Sequence, residues 1–129
     1  MALPERLDET SFAYLDITGQ DNWKAFTPVF GSLTVLGATN DLGRYHVEGK
    51  AFRFQVRFGA ATSIASTAGT DYLNLPIASK GYGGMAVMTN ASTNIAVGLC
   101  HIDATNARCY LPTQGASANT FILAGWYEI

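Results

Sequence analysis

Residues 52–58 read Phe-Arg-Phe-Gln-Val-Arg-Phe, and that alternation constrains the fold more than anything else in the chain. Phe52, Phe54, Val56 and Phe58 fall on one side; Arg53, Gln55 and Arg57 fall on the other. A period of two belongs to a strand with one side buried and one side wet. Three phenylalanines on one face are more apolar surface than a lone strand can shelter, so a second layer must cover them. Just upstream, Tyr45 and Val47 alternate in a shorter run, and Gly49-Lys50 has the form of a hairpin tip.

The rest of the chain repeats this theme. Short extended runs are expected within 23–30, where Pro28 suits a sheet edge, and at 32–36, 72–75, 85–88, 95–101, 108–111 and 120–127. Residues 59–70 and 114–120 read as polar loops, the first with at most a weak strand in it. No window carries a capped stripe of helical period, and the 13 glycines with few Lys or Glu also speak against helices. The expected fold is all-β: an antiparallel β-sandwich, jelly-roll-like, of about eight strands.

That sandwich spans 23–129. Residues 1–22 stand apart as an N-terminal arm holding five of the ten acidic residues, Glu5, Asp8, Glu9, Asp16 and Asp21. Within the arm, SFAYLDIT has the form of one short strand, in which Phe12, Tyr14 and Asp16 alternate with Ala13, Leu15 and Ile17. It reads either as a loose lead-in or as a strand offered to the sheet edge of a neighbouring protein.

Composition narrows the partners. The chain is 48% hydrophobic and only 14% charged, which fits surface hidden in a large core or against copies of itself. Its basic residues are scattered and its net charge is −2, so nucleic acid is not an expected partner. No apolar run approaches about 18 residues, which argues against membrane insertion. The first residues lack the apolar core of a signal peptide, so folding in a cytoplasm is expected.

The search for chemistry yields no catalytic, cofactor or metal site. His46 and His101 lack the three or four converging ligands that zinc needs. Cys100 and His101 are adjacent, which in a strand sends them to opposite faces and disfavours a nucleophilic dyad. Glu48 and Asp71 could meet only if distant strands brought them together, and nothing singles them out. The glycines of GRYHVEGKA have the wrong spacing for a phosphate loop, and GYGG fits no nucleotide motif. Asn90-Ala91-Ser92 matches a glycosylation sequon by letter only.

Two residue sets remain. Arg53 and Arg57 mark either a wet face or a subunit interface, where Arg is enriched, and the arm residues Phe12, Tyr14, Leu15 and Ile17 are the other interface candidates. Tyr72, Tyr82 and Tyr110 lie near loops, where they either stack on a sugar ring or sit buried with a wet tip. Cys100 and Cys109 flank Asp103–Asn106. A hairpin centred between Ala104 and Thr105 would set them opposite one another and allow a cross-strand disulfide, whereas a reducing compartment favours free thiols.

Several of these pieces together resemble something known. They are Trp23 with Pro28, Gly43-Arg44-Tyr45 with Gly49 and the alternating strand, Leu73-Asn74-Leu75-Pro76, and Phe121 followed by Gly125-Trp126-Tyr127-Glu128. In that order they resemble the β-sandwich module of bacteriophage tail-fibre and minor virion structural proteins, over about 23–129. The resemblance implies a non-enzymatic protein on a virion surface, a homo-oligomer and often a trimer, in contact with other capsid or tail proteins. Two placements follow: a capsid-decoration protein clamped to the head by its arm, or a tail-fibre or spike tip binding host-surface glycan. The short chain and the distinct arm favour decoration. A small jelly-roll lectin or carbohydrate-active enzyme is the alternative from another class.

Overall fold

A computed structural model describes residues 23–36, 41–59 and 62–129. The arm, with Phe12, Tyr14, Leu15 and Ile17, lies outside the described residues. Among those described there are twelve strands: β1 (Lys24–Phe26), β2 (Phe30–Gly31), β3 (Thr34–Leu36), β4 (Leu42–Glu48), β5 (Ala51–Gly59), β6 (Ser63–Ser66), β7 (Tyr72–Asn74), β8 (Gly84–Asn90), β9 (Ile95–Ile102), β10 (Arg108–Tyr110), β11 (Gln114–Ser117) and β12 (Thr120–Glu128). The expected antiparallel sandwich is what forms, from more and shorter strands than about eight.

Nine strands make one sheet in the order β1-β4-β5-β12-β8-β9-β10-β7-β2, and β11-β6-β3 make a second. All pairings are antiparallel. β1 and β2 are consecutive in sequence yet stand at opposite ends of the large sheet. Residues 27–29 alone join them, so Phe26 and Phe30 are at most about 14 Å apart. The sheet must therefore curl until its edges nearly meet. Pro28, buried in that junction, has no amide proton to leave unpaired there.

Curling folds the large sheet over its own inner face. β5 supplies Phe52, Phe54, Val56 and Phe58, each 1% exposed or less. Phe121, Leu123 and Tyr127 of β12 and Ala86 and Met88 of β8 extend the floor. Leu73, Cys100, Ile102, Cys109 and Leu111 come from the other half. Rings bridge the halves: Phe30 of β2 lies 4.8 Å from Phe58 of β5, centroid to centroid. Burying the four inward side chains of β5 stabilises the fold by about 6–12 kcal/mol before the entropy of ordering the chain is counted.

The small sheet closes one end of the core. Ile64 of β6 points in, and Leu33, Phe58, Met88 and Phe121 line the space beside it. The Ser66 hydroxyl donates to the Pro112 carbonyl at 2.7 Å and ties β6 to the segment entering β11. At the other end, the Tyr127 hydroxyl donates to the Ile77 carbonyl. Gly49 takes the positive φ that the first position of a tight two-residue hairpin requires, with Glu48 paired to Ala51 on either side.

Candidate interaction face

The outward residues of the large sheet form the most distinctive surface. Strand pairing aligns them in rows: His46, Arg53, Trp126, Met85 and His101 in one, and Arg44, Gln55, Ala124, Val87 and Leu99 in the next. A third row holds Leu42, Arg57, Ile122, Thr89 and Ala96. With strands about 4.8 Å apart, each row runs about 19 Å across β4, β5, β12, β8 and β9.

This face has two halves. On β4 and β5 it is basic, with Arg44, Arg53 and Arg57 exposed and Glu48 at one end. On β12, β8 and β9 it is apolar. Trp126 is 60% exposed, Leu99 65% and Met85 54%, with Val87 and Ile122 beside them. Strands β8, β9 and β12 are therefore apolar on both sides, the signature of a strand covered on both sides. In β9 an irregularity between Ala96 and Gly98 resets the alternation: Ile95, before it, pairs with the inward Asn90, whereas after it Leu99 pairs with the outward Val87 and leaves Cys100 and Ile102 facing the core.

A groove runs between the halves, lined by Trp23, Arg53, Gln55, Ala124, Gly125 and Trp126. Its basic rim is fixed in place. Arg44 donates through Nε and Nη2 to Gln55 Oε1 at 2.9 and 2.6 Å, and its guanidinium lies 4.8 Å from the centre of the Trp23 ring. Trp23 in turn packs on His46 at 5.6 Å.

The residues singled out from sequence divide accordingly. Arg53 and Arg57 stand on this face. Tyr110 and Tyr72 continue the first row beyond His101 onto β10 and β7, 5.5 Å apart and edge to face, with Arg108 over the Tyr72 ring at 4.2 Å. The Tyr72 ring also lies against Gly31, where a β-carbon would meet it at 2.2 Å. Both are half-buried packing residues. Tyr82 is 82% exposed in the Gly81–Gly83 turn and is not part of that pair. The apolar half, with Trp126, Leu99, Met85, Val87 and Ile122, escaped the sequence reading. Its signal lies in apolar residues on both alternating sides of one strand: Leu99 beside Cys100 and Ile102 in β9, and Met85 and Val87 beside Ala86 and Met88 in β8.

Several other chemistry-bearing groups are committed to structure. Asp71 Oδ2 accepts the Thr67 amide at 2.6 Å, while Glu48 stands exposed at the end of β4. Asn90, a buried residue, accepts the Ser92 and Thr93 amides through Oδ1 and so forms its own turn. Asp103 Oδ1 accepts the amides of Thr105 and Asn106, and Asn106 Nδ2 donates to Oδ2. The Thr105 amide above all, with Asn106, holds the Asp103 carboxyl down to about 2.

The register of this hairpin differs from the sequence expectation. Ile102 pairs with Cys109 and the Asp103 amide bonds to the Arg108 carbonyl, so the hairpin centres one residue later. Cys100 and Cys109 are consequently diagonal rather than opposite, and both are free and buried. Contact with the Cys100 thiol, and then burial, pushes the Cys109 thiol well up. Among the described residues no three His, Cys, Asp or Glu side chains gather as a metal cluster, and no helix is long and apolar enough to cross a membrane.

Fold and face together define a class: an antiparallel β-sandwich carrying an exposed sheet face that is half apolar and half arginine-rich. Set beside known proteins, the chain matches no family, no characterised protein and no solved structure.

Proposed function

We propose that this protein is a non-enzymatic structural component of a phage virion surface: a capsid-decoration protein that sits on the head as a trimer and is anchored by residues 1–22. The observation that carries the reading is the face on β12, β8 and β9. Five large apolar side chains in water beside three arginines have the composition of an interface core with its rim. The sequence resemblance to virion modules supplies the setting. The buried, hydrogen-bonded state of Asp71 and Asn90 and the burial of both thiols fit a body that holds and displays.

The test is uptake. Capsid shells lacking the protein take it up in a saturable ratio that is a multiple of three per lattice site. Charge reversal at Arg53 and Arg57, or exchange of Trp126 and Leu99 for Ser, reduces uptake while the purified variants stay folded. Shells that ignore the folded wild-type protein overturn the reading. The groove between Trp23 and Trp126 supports a second reading as a fibre or spike tip, because two indoles beside Arg53 and Gln55 suit a sugar ring with hydroxyls to satisfy. Binding to host cells or to a glycan array, without binding to shells, selects that reading.

A further inference from the structure

We infer that the apolar-basic face is covered, in the free protein, by residues 8–21 of the same chain. This rests on the reading of the face as an assembly surface and adds what occupies it before assembly.

Three observations lead there. The first is charge. Residues 1–22 contain Glu5, Asp8, Glu9, Asp16 and Asp21 against Arg6 alone, a net of −4, while residues 23–129 contain seven basic and five acidic residues, a net of +2. The chain's −2 thus hides two bodies of opposite sign, and the outer face carries Arg44, Arg53 and Arg57 of that positive set. The second is connection. Residue 22 leads directly into Trp23, which lies on His46 and beneath Arg44 at the rim of the same face. Crossing the face takes about six extended residues, so a segment of fourteen reaches all of it. The third is the mixed character of both partners. Phe12, Tyr14, Leu15 and Ile17 lie between Glu9 and Asp21, with Leu15 and Ile17 flanking Asp16, and the face sets Trp126, Met85, Val87 and Leu99 beside its arginines.

Tethering decides which copy supplies the segment. A segment attached at the rim faces its own sheet at an effective concentration in the millimolar range, far above that of a second molecule in dilute solution. The covering is therefore intramolecular when the protein is free. Assembly then has to exchange this segment for a neighbour, which keeps an apolar face from pairing before the lattice is present.

The test uses the full chain and the fact that there are only two tryptophans. In a Trp23→Phe background, Trp126 is the sole indole reporter. Its emission is blue-shifted and poorly quenched by acrylamide at low salt, independent of protein concentration. Exchanging Asp8, Glu9, Asp16 and Asp21 for Asn or Gln lowers the covered-to-open ratio by about tenfold or more, as does reversing Arg53 and Arg57, and both are read as a red shift with stronger quenching. A stretch of high salt on the unmodified arm acts in the same direction. Three results overturn the inference: Trp126 fully quenchable in the unmodified arm, protection indifferent to the arm's charges, or protection that disappears on dilution together with a halving of mass, which marks a second copy as the cover. None of these depends on shell uptake, so the two proposals fail separately.

Discussion

Phe52→Ala should be the most damaging simple truncation in β5, and Arg53→Ala, one residue along, should be nearly silent. Phe52 is fully buried, with the rings of Tyr45, Tyr127 and Phe54 at 5.2, 4.8 and 6.4 Å. Removing a buried Phe costs about 3–5 kcal/mol through lost burial and the cavity left behind, and three ring neighbours place this site at the upper end. A domain of this size has about 5–15 kcal/mol in hand. A loss of about 4 kcal/mol lowers the urea midpoint by about 2–3 M for a slope of about 1.5 kcal/mol/M, and the melting temperature by about 16 °C. Arg53 is exposed on the opposite side of the same strand, so its truncation stays within about 0.5 kcal/mol. Urea unfolding followed by far-UV circular dichroism and fluorescence measures both. Equal costs at the two positions, or a larger cost at Arg53, would refute the assignment of inner and outer faces.

Other outcomes follow from the same packing. Tyr127→Phe deletes the hydrogen bond to the Ile77 carbonyl and leaves that carbonyl unpaired, costing about 1–3 kcal/mol in chemical unfolding. Burial raises the Tyr127 hydroxyl above its ordinary value, so its contribution is complete below about pH 10 and fades as the pH climbs further; Tyr127→Phe flattens that alkaline decline. Asp103 behaves oppositely. Its carboxyl is lowered to about 2 by the turn amides, so its contribution is present above the ordinary carboxylate value and is lost as the pH falls from about 4 towards 2, a dependence absent from Asp103→Asn in acid titrations. Both thiols are buried and Cys109 is raised, so a thiol reagent at neutral pH titrates neither quickly in the native protein and both after unfolding.

How much of this was legible beforehand depends on range. The inward set of β5 and the hairpin tip at Gly49 follow from a local period and a local turn, and both could be read from adjacent letters. The Cys100–Cys109 register could not, because Asp103 caps Thr105 and Asn106 and shifts the hairpin by one residue. β6 and β11 hid inside apparent loops, since four-residue strands of small residues owe their shape to the pairing across them. The face on β12, β8 and β9 was missed for a related reason. A strand apolar on both sides gives no contrast by which to choose the inner one, and the Ala96–Gly98 irregularity made the choice.

The first and last described strands are held very differently. The last strand lies in the middle of the large sheet, hydrogen-bonded on both sides, with the Ile129 amide bound to the Lys50 carbonyl. The first described strand is three residues on an outer edge, with one neighbour. A load applied through residue 23 would therefore peel a short margin and leave the body intact, whereas the same load at residue 129 would have to shear the molecule through its centre. A body tethered by its front end is thus sprung at the point of attachment and stiff everywhere behind it.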